Sequence, residues 1–257
     1  MLVPLTAPAQ ISAFSTACSY EHVFGSRALT ALRAYGLGDV RARFYLCVED
    51  GLPAAALYLS GGVLSVSADG RANPREIAAL VQAEHVGEID ADRPLTDALQ
   101  RLLGGTTDSS YFMVYRGGPQ RERFPGLVPG DLRTVFSILQ QSHEYYRQHL
   151  QYEDWSADLR LRLSKELAEV WQLEVDGRPV GTGSIASEDD ECGVIAAVAV
   201  VPEFRHRGLG GCISRFLTGR IQEKGKTPRL ISGYNDVAEL YRRVGFGTCG
   251  RWGELYL

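Results

Sequence analysis

The sequence predicts an α/β protein with two similar lobes, each a mixed, mostly antiparallel sheet with flanking helices. Three observations support this fold class. Apolar runs rich in β-branched residues alternate along the chain with segments of helical periodicity. Asp-Gly pairs at residues 50–51 and 176–177 separate such runs, and Asp-Gly is a strong hairpin signal. The order of patterns in residues 1–117 returns in residues 131–257, which indicates a tandem arrangement.

The elements of the first lobe follow from local patterns. Periodicity predicts a helix over residues 28–35 and another that begins at Pro74, since proline is favoured at the first helical position. Apolar runs predict strands over residues 44–48, 54–60, 86–91 and 111–115. The first two of these strands form the hairpin around the first Asp-Gly turn.

A linker and the second lobe follow. Residues 118–130 are dense in Pro, Gly and charged residues, which is typical of a linker. Asp131 is the predicted N-cap of a helix over residues 132–141. A second helix is predicted over residues 154–167, and strands over 169–175 and 180–186. Four apolar residues of this region are expected in the core: Leu159, Leu163, Leu167 and Val170.

The two lobes differ in length at two places. Residues 62–68 resemble 193–199, and residues 99–104 resemble 240–245, but their separation grows toward the C-terminus. The extra residues of the second lobe fall in the acidic segment 187–192 and in the connection that precedes the last helix. Convergence of two α/β hairpin patterns is the alternative to a true repeat.

Composition narrows the class of protein. The chain has 257 residues, more than the roughly 150 of an average domain, and 45% of them are hydrophobic. Its formal net charge of −4 argues against a nucleic-acid binder. Five cysteines without a Cys-x-x-Cys pair indicate reduced thiols in a cytoplasmic protein, and no metal is expected. The first residues have no basic start and two early prolines, so they are not expected to form a secretory signal, and the longest apolar run, residues 194–201, is too short to cross a membrane.

The most informative segment is residues 198–211, Val-Ala-Val-Val-Pro-Glu-Phe-Arg-His-Arg-Gly-Leu-Gly-Gly. A β-rich run ends in proline, a basic glycine-dense turn follows, and residues from Leu209 onward have helical spacing. Backbone N–H groups at the start of this helix, the helix dipole and the side chains of Arg205 and Arg207 all favour an anion. The pattern predicts a diphosphate site.

The spacing Arg205-x-x-Gly208-x-Gly210 resembles the pyrophosphate-binding loop of the GNAT superfamily of N-acetyltransferases, which bind acetyl-coenzyme A. Residues 235–246, Asn-x-x-Ala-x-Leu-Tyr-x-x-x-Gly-Phe, resemble the second motif of that superfamily at the usual distance. The resemblance covers roughly residues 130–257. A nucleotide-binding Rossmann turn is the rival interpretation, and it fits less well because six residues separate the strand from the glycines.

The resemblance implies two GNAT-like lobes, with a splayed central strand in the second. The first lobe is degenerate, because residues 67–76 lack the Arg-x-x-Gly-x-Gly spacing. Acetyl-CoA is therefore expected as co-substrate in the second lobe alone. Its pantetheine arm is expected on the backbone of Val198, Ala199 and Val200, with a backbone N–H, that of Val200, polarising the thioester carbonyl. Its diphosphate is expected on Arg205, His206, Arg207, Gly208, Leu209, Gly210 and Gly211.

Catalytic roles follow from the same resemblance. Tyr241 is the candidate acid for the departing thiolate, with a packed aromatic as the alternative. Asn235 either bonds the pantetheine or caps its helix. Glu191 is the candidate general base, within an acidic segment that otherwise is a solvated turn or attracts a cationic substrate. Residues 143–146 and Tyr152 either shape the acceptor pocket, as the resemblance implies, or form an exposed amphipathic loop.

We therefore predict an acetyl-CoA-dependent N-acetyltransferase that acts on the primary amine of a small molecule, amino acid or peptide. A non-catalytic acyl-CoA-binding protein is the alternative. Neither a nucleic acid nor a membrane is an expected partner, and a homo-oligomer is left open.

Overall fold

The computed structural model describes residues 1–121, 124–142, 144–149, 151–233 and 235–257, without the side chains of residues 145, 149, 235 and 236. The chain divides into two compact units. Unit 1 comprises Met1–Phe112 and Cys249–Leu257, and unit 2 comprises Met113–Thr248. The C-terminal residues, which the sequence assigns to the second lobe, therefore lie in unit 1. The linker assigned to residues 118–130 stays a prediction.

The strands are β1 (Leu2–Pro4), β2 (Arg43–Glu49), β3 (Leu52–Ser60), β4 (Val63–Ala68), β5 (Glu88–Asp92), β6 (Thr106–Tyr115), β7 (Leu127–Pro129), β8 (Glu169–Val175), β9 (Arg178–Glu188), β10 (Cys192–Val200), β11 (Thr227–Ser232) and β12 (Phe246–Tyr256). The helices are α1 (Ile11–Cys18), α2 (His22–Tyr35), α3 (Pro74–Ala83), α4 (Arg93–Leu103), α5 (Leu132–Ser142), α6 (Glu144–His149), α7 (Tyr152–Ser164), α8 (Leu209–Glu223) and α9 (Asn235–Val244). Within the ranges described above, each helix is too short or too polar to cross a bilayer.

Unit 1 is built on strands in the order β1-β2-β3-β4-β5-β12. Neighbouring strands are antiparallel except β4 and β5, which run parallel and are connected through α3. The apolar faces of the sheet and of the helices form the core, whose largest fully buried side chains include Leu57, Leu64, Ile77, Ile89 and Leu99.

Unit 2 repeats this plan with strands in the order β11-β10-β9-β8-β7. Again one pair, β10 and β11, is parallel and connected through a helix, α8. Leu159 and Val170 lie in the core with residues of α5, as predicted, whereas Leu163 is only partly buried at its edge. The order strand-strand-strand-helix-strand-helix is therefore common to both units, and the predicted fold class is confirmed.

The helices before the first hairpin differ from the sequence prediction. Helix α1 has no counterpart in that prediction, and α2 begins at His22 rather than at Ala28. Glu21 explains the longer helix, because its carboxylate accepts hydrogen bonds from the backbone N–H groups of Val23 (2.9 Å) and Phe24 (2.7 Å). Glutamate is an uncommon N-cap, so propensity does not reveal this start.

Glycines in β9 and β10 allow α8 to pack directly on the sheet. A Cβ atom at Gly183 would lie 2.5 Å from Ile213 Cγ2 and 2.8 Å from Leu217 Cδ1. Both of these α8 side chains are fully buried. The absence of a side chain at residue 183 therefore determines how closely α8, and with it the start of this helix, approaches β10.

We expect Gly183→Ala to lower the free energy of unfolding by about 1–3 kcal/mol, the usual cost of overpacking a core. Urea denaturation followed by tryptophan fluorescence measures it. Gly118→Ala is the matched control in unit 2, because a Cβ there meets no atom within 4 Å. Equal midpoints for the two variants would contradict the close packing of α8.

Three carboxylates meet on adjacent strands of unit 1. Glu88, Asp90 and Glu254 place ligand oxygens within 4.8 Å of one another, and Arg27 donates to Asp90 at 2.6 Å. Burial, followed by the nearby charges of Asp90 and Glu254, raises the pKa of Glu88 to about 7. The folded state therefore binds more protons than the unfolded state, in which a glutamate titrates near 4.3.

The stabilisation from protonated Glu88 is complete below pH of about 4.3 and is lost as the pH rises through about 7. We therefore expect Glu88→Gln to be more stable than the parent protein at pH 8 and to differ little from it at pH 4. Urea denaturation at both pH values tests this. An equal change in the free energy of unfolding of Glu88→Gln at pH 4 and pH 8 would contradict this expectation.

Candidate active site

Strands β10 and β11 separate partway along their length. They pair from Cys192–Thr227 to Ile195–Leu230, and the described pairing ends there. On its other side β10 stays paired with β9 as far as Val200. The second half of β10 therefore presents one unpaired edge, as predicted for a splayed central strand.

A β-bulge lies where this edge begins. The register between β9 and β10 shifts between Ala196 and Ala199, and Ala197 has a φ of +53°. A non-glycine residue in this conformation costs of the order of 1–3 kcal/mol, and such strain collects at functional sites. The bulge directs the side chains of both Ala196 and Ala197 toward one cavity.

The alternating orientation of backbone N–H and C=O groups shows which residues on the unpaired edge of β10 can bind a ligand. The N–H of Val201 donates to the carbonyl of Val180 at 2.9 Å, on the β9 side. Because polar groups alternate along a strand, those of Val200 and Val198 face away from β9, whereas Ala199 faces β9. Arg205 agrees with this, since its Nε donates to the carbonyl of Val200 at 3.1 Å. Val198 and Val200 can therefore bond an extended ligand, and Ala199 does not share this orientation.

Helix α8 begins beside this edge without a side-chain cap. Gly208 is the N-cap residue, and its φ of +77° is one that glycine adopts without strain. The first helical hydrogen bond runs from the N–H of Cys212 to the carbonyl of Gly208, 3.1 Å. The N–H groups of Leu209, Gly210 and Gly211 precede it and have no partner within the helix. They are oriented to bind an anion.

The turn before α8 is exposed and positively charged. Arg205, His206, Arg207 and Gly208 are all exposed. The guanidinium of Arg207 lies 4.8 Å from the ring centre of Phe204. The Arg205 guanidinium also donates to the carbonyl of Ser142, at the end of α5. Two cations therefore flank the free N–H groups.

The corresponding place in unit 1 is closed by its own side chains. At the start of α3 the Asn73 side chain accepts the N–H of Arg75 at 3.0 Å, and Pro74 has no N–H to offer. On β4, the Ser67 hydroxyl donates to the carbonyl of Ala17 at 2.8 Å. Asp69 adds a negative charge to the connection between β4 and α3. This start of a helix is already satisfied and does not offer an anion site.

Tyr241 lies on α9 with its side chain buried. Its ring packs against Phe246, with ring centres 5.9 Å apart. Burial raises the pKa of Tyr241 above its ordinary value, and the proximity of Tyr146 from α6 adds to this rise. The phenol therefore remains protonated at neutral pH. The side chain of Asn235 lies outside the described residues, so both of its expected roles stay predictions.

A cavity of a size that suits a small molecule lies beside the bulge of β10. It has a volume of about 220 Å³, and its described lining consists of Val135, Leu139, Tyr146, Trp155, Leu159, Arg162, Val170, Thr182, Ser184, Ala186, Ala196 and Ala197. Tyr146 joins this cavity to Tyr241, and the two alanines belong to the bulge of β10. A larger groove of about 440 Å³ is lined by α5 with Arg178, Pro179 and Val201, and contains neither the bulge nor Tyr146.

Glu191 lies far from this cavity along the strand. It is exposed in the turn before β10, and its carbonyl accepts the N–H of Thr227 at 2.9 Å. Ala197 follows six residues later, roughly 20 Å along an extended strand. The structure therefore does not bring Glu191 together with Tyr241, and its placement gives no support to a role as general base.

The neighbouring acids of this turn have structural partners. Glu188 accepts from Lys224 and Lys226 at 2.7 Å each. Asp189 accepts the N–H groups of Glu191 and Cys192, both at 2.7 Å. The acidic turn is therefore held by ion pairs and backbone hydrogen bonds.

Sequence reasoning found part of the cavity. Tyr146 falls in the segment expected to shape an acceptor pocket, whereas Tyr152 is outside the described lining and packs on Phe136 with ring centres 5.3 Å apart. Three residues at alternate positions of β9, namely Thr182, Ser184 and Ala186, were not singled out. Their period of two is the signal that could have placed them on one face of a strand.

Residues 132–246 match the model of the acetyltransferase (GNAT) family. No curated protein matches the chain at a significant level.

Solved structures share the fold along nearly the whole chain. A tandem GNAT protein from the clavulanic acid biosynthesis pathway superposes with a TM-score of 0.61 at 12% identity, covering 99% of this chain and 97% of that one. A GCN5-related N-acetyltransferase from Kribbella flavida gives 0.63 at 15% identity, over 92% and 95%. One from Sphaerobacter thermophilus gives 0.61 at 19% identity, over 98% and 94%. At these identities the likeness concerns the fold.

Proposed function

We propose, from the match of residues 132–246 to the acetyltransferase (GNAT) family, that the chain transfers the acetyl group of acetyl-CoA to the primary amine of a small molecule, amino acid or peptide. Three features of unit 2 together support this proposal. The unpaired edge of β10 begins at the bulge residues Ala196 and Ala197, which line the cavity together with Tyr146, and Tyr146 lies close enough to Tyr241 to affect its pKa. The uncapped start of α8 follows β10 within the same unit.

Acetyl-CoA fits the groups that this site offers. Its diphosphate would bind the N–H groups of Leu209, Gly210 and Gly211, with Arg205 and Arg207 supplying positive charge. Its extended pantetheine arm would pair with the backbone of Val198 and Val200, which lack a strand partner on that side. Unit 1, whose α3 is capped by Asn73, would bind no coenzyme.

The transfer itself needs an activated carbonyl and a stabilised leaving group. The N–H of Val200 faces the open edge of β10 and would polarise the thioester carbonyl. An amine held in the cavity would attack from the side of Ala196 and Ala197. Tyr241, protonated because burial raises its pKa, would donate a hydrogen bond to the sulfur as the C–S bond breaks.

The test measures thiol release from acetyl-CoA across a panel of amines, amino acids and peptides, with an enzyme-free baseline. Acetylated product identified by mass spectrometry supports the proposal. Tight acetyl-CoA binding without turnover on any acceptor would instead indicate a non-catalytic acyl-CoA-binding protein.

A further inference from the structure

We propose that the acceptor is a small aromatic amine that is uncharged at neutral pH and binds in the 220 Å³ cavity of unit 2. This inference rests on the proposed acetyl transfer and names its substrate class. Three features of the described lining carry it: the volume, the distribution of charge and the hydroxyl groups of β9.

The volume restricts the acceptor to a single ring or a body of similar size. Pockets for drug-sized ligands have volumes of about 300–1,000 Å³. An engineered apolar cavity of about 150 Å³ takes up benzene. A cavity of about 220 Å³ therefore accommodates a phenyl ring with an amino group, and it is too small for an oligosaccharide or a folded peptide segment.

The lining is apolar on most sides. Side chains of Val135, Leu139, Leu159 and Val170 are buried there, and Trp155 contributes an aromatic wall. Burying such surface against a hydrocarbon ring gains free energy, about 25 cal/mol per Å². The same surface gives no compensation to a charged group.

The charge of the cavity disfavours a cation. None of the described lining residues carries a carboxylate, and their one charged side chain is Arg162. Its guanidinium donates to the carbonyl of Ala186 and pairs with Asp158 one helical turn earlier. The charge of Arg162 is therefore balanced by Asp158, and that carboxylate is committed to the guanidinium. An ammonium ion would be desolvated in the cavity without an acid among the described lining residues to pair with, so the neutral amine is the form that binds.

Two hydroxyls then orient the amino group. Thr182 donates its proton to the carbonyl of Trp171 at 2.9 Å, and Ser184 donates to the carbonyl of Ala196 at 3.0 Å. With their protons committed, both oxygens act as acceptors toward the cavity. A neutral –NH₂ group supplies two N–H donors for them, and its lone pair stays available for the thioester.

The reaction balances without a carboxylate base. The nitrogen lone pair forms the C–N bond, and collapse of the tetrahedral intermediate breaks the C–S bond with its electron pair on sulfur. One N–H proton is lost from the former amine to water, and the thiolate, which accepts a hydrogen bond from Tyr241 as it forms, gains a proton from water. Because a weakly basic aromatic amine is already unprotonated at neutral pH, the absence of an acidic group from the described lining does not limit the rate.

Aniline and benzylamine form the matched test pair, since they differ in size by one methylene while benzylamine is protonated at neutral pH. We expect kcat/KM at pH 7 to be at least tenfold higher for aniline. Its rate should be independent of pH between 6 and 9, whereas that of benzylamine should rise about tenfold per pH unit. Spermidine, a polycation, should not react.

A substitution that fills the cavity provides a second test of the acceptor site. Ala186→Leu should lower kcat/KM for aniline at least tenfold while leaving the acetyl-CoA dissociation constant unchanged. Ala157→Leu, an exposed position on α7 outside the described lining, is the matched control and should change neither value.

The outcomes distinguish a wrong acceptor class from a failure of the proposed acetyl transfer. If benzylamine or spermidine is acetylated faster than aniline, acetyl transfer stands and the acceptor class is wrong. Full aniline turnover in Ala186→Leu would place the acceptor elsewhere. If acetyl-CoA does not bind, or no amine is acetylated, the proposed function itself fails, and the acceptor class with it.

Discussion

Tyr241→Phe is expected to lower kcat by about 10²–10⁴-fold while the affinity for acetyl-CoA changes little. The substitution removes one oxygen and keeps the ring that packs on Phe246. The structure gives the Tyr241 hydroxyl no hydrogen bond to a described residue, so its removal leaves no partner unsatisfied there. The fold should therefore be retained and the loss confined to the chemical step.

The raised pKa of Tyr241 bears on whether its phenol transfers a proton or only donates a hydrogen bond. A coenzyme A thiolate titrates near 8.5 and an ordinary tyrosine near 10. Because burial raises the pKa of Tyr241 further, complete transfer of its proton to sulfur is uphill in the site. We therefore expect the hydroxyl to act mainly as a hydrogen-bond donor to the developing thiolate, and the rate should not fall through ionisation of Tyr241 in mildly alkaline buffer.

Tyr115→Phe is the matched control. Tyr115 packs on the same Phe246, with ring centres 5.3 Å apart, and its hydroxyl donates to the carbonyl of Gly118 at 2.8 Å. Its loss should cost some stability and leave kcat near normal. Near-normal kcat in Tyr241→Phe as well would remove Tyr241 from the mechanism, with water then protonating the thiolate.

Arg205→Ala should weaken acetyl-CoA binding by roughly 1–3 kcal/mol, which corresponds to about fivefold to 150-fold in the dissociation constant. The guanidinium is exposed beside the free N–H groups of α8, and its present partners are the carbonyls of Val200 and Ser142. A diphosphate competes for it with a full negative charge. Titration calorimetry measures the change and the number of sites, which we expect to be one per chain.

Arg71→Ala tests the same place in unit 1. Arg71 follows β4 and pairs with Asp69, ahead of the capped helix α3. Its removal should leave acetyl-CoA affinity unchanged. Two equivalent sites in the calorimetric titration, or an unaltered affinity in Arg205→Ala, would contradict a single site at the start of α8.

Local patterns in the sequence predicted most of the residues that we propose to bind the coenzyme. The glycine-dense turn, its two arginines and the helical spacing after Leu209 all describe neighbouring residues, and the structure places them at one uncapped helix start. The predicted N-cap Asp131 accepts the N–H of Thr134 at 2.9 Å. Such features depend on contacts a few residues apart, so that one sequence is sufficient to find them.

The residues that line the cavity are brought together by packing between segments far apart in the sequence. Arg162 and Ser184 line one cavity with Tyr146, although nothing in their neighbourhoods along the chain indicates this. The proposed base Glu191 illustrates the converse, since closeness in sequence to β10 did not bring it near the bulge.

The sequence alone predicted the tandem α/β fold and the residues of the proposed diphosphate loop, because hairpin turns, helix caps and glycine spacing act within short stretches of chain, and the family resemblance implied the splayed strand. Only the tertiary structure decided which half of β10 is unpaired, which of its backbone groups face outward, and which side chains line the cavity. The bulge at Ala197 depends on the pairing of β10 with β9, and the proximity of Tyr146 to Tyr241 joins residues of α6 and α9. Such contacts between distant segments leave no local mark in the sequence.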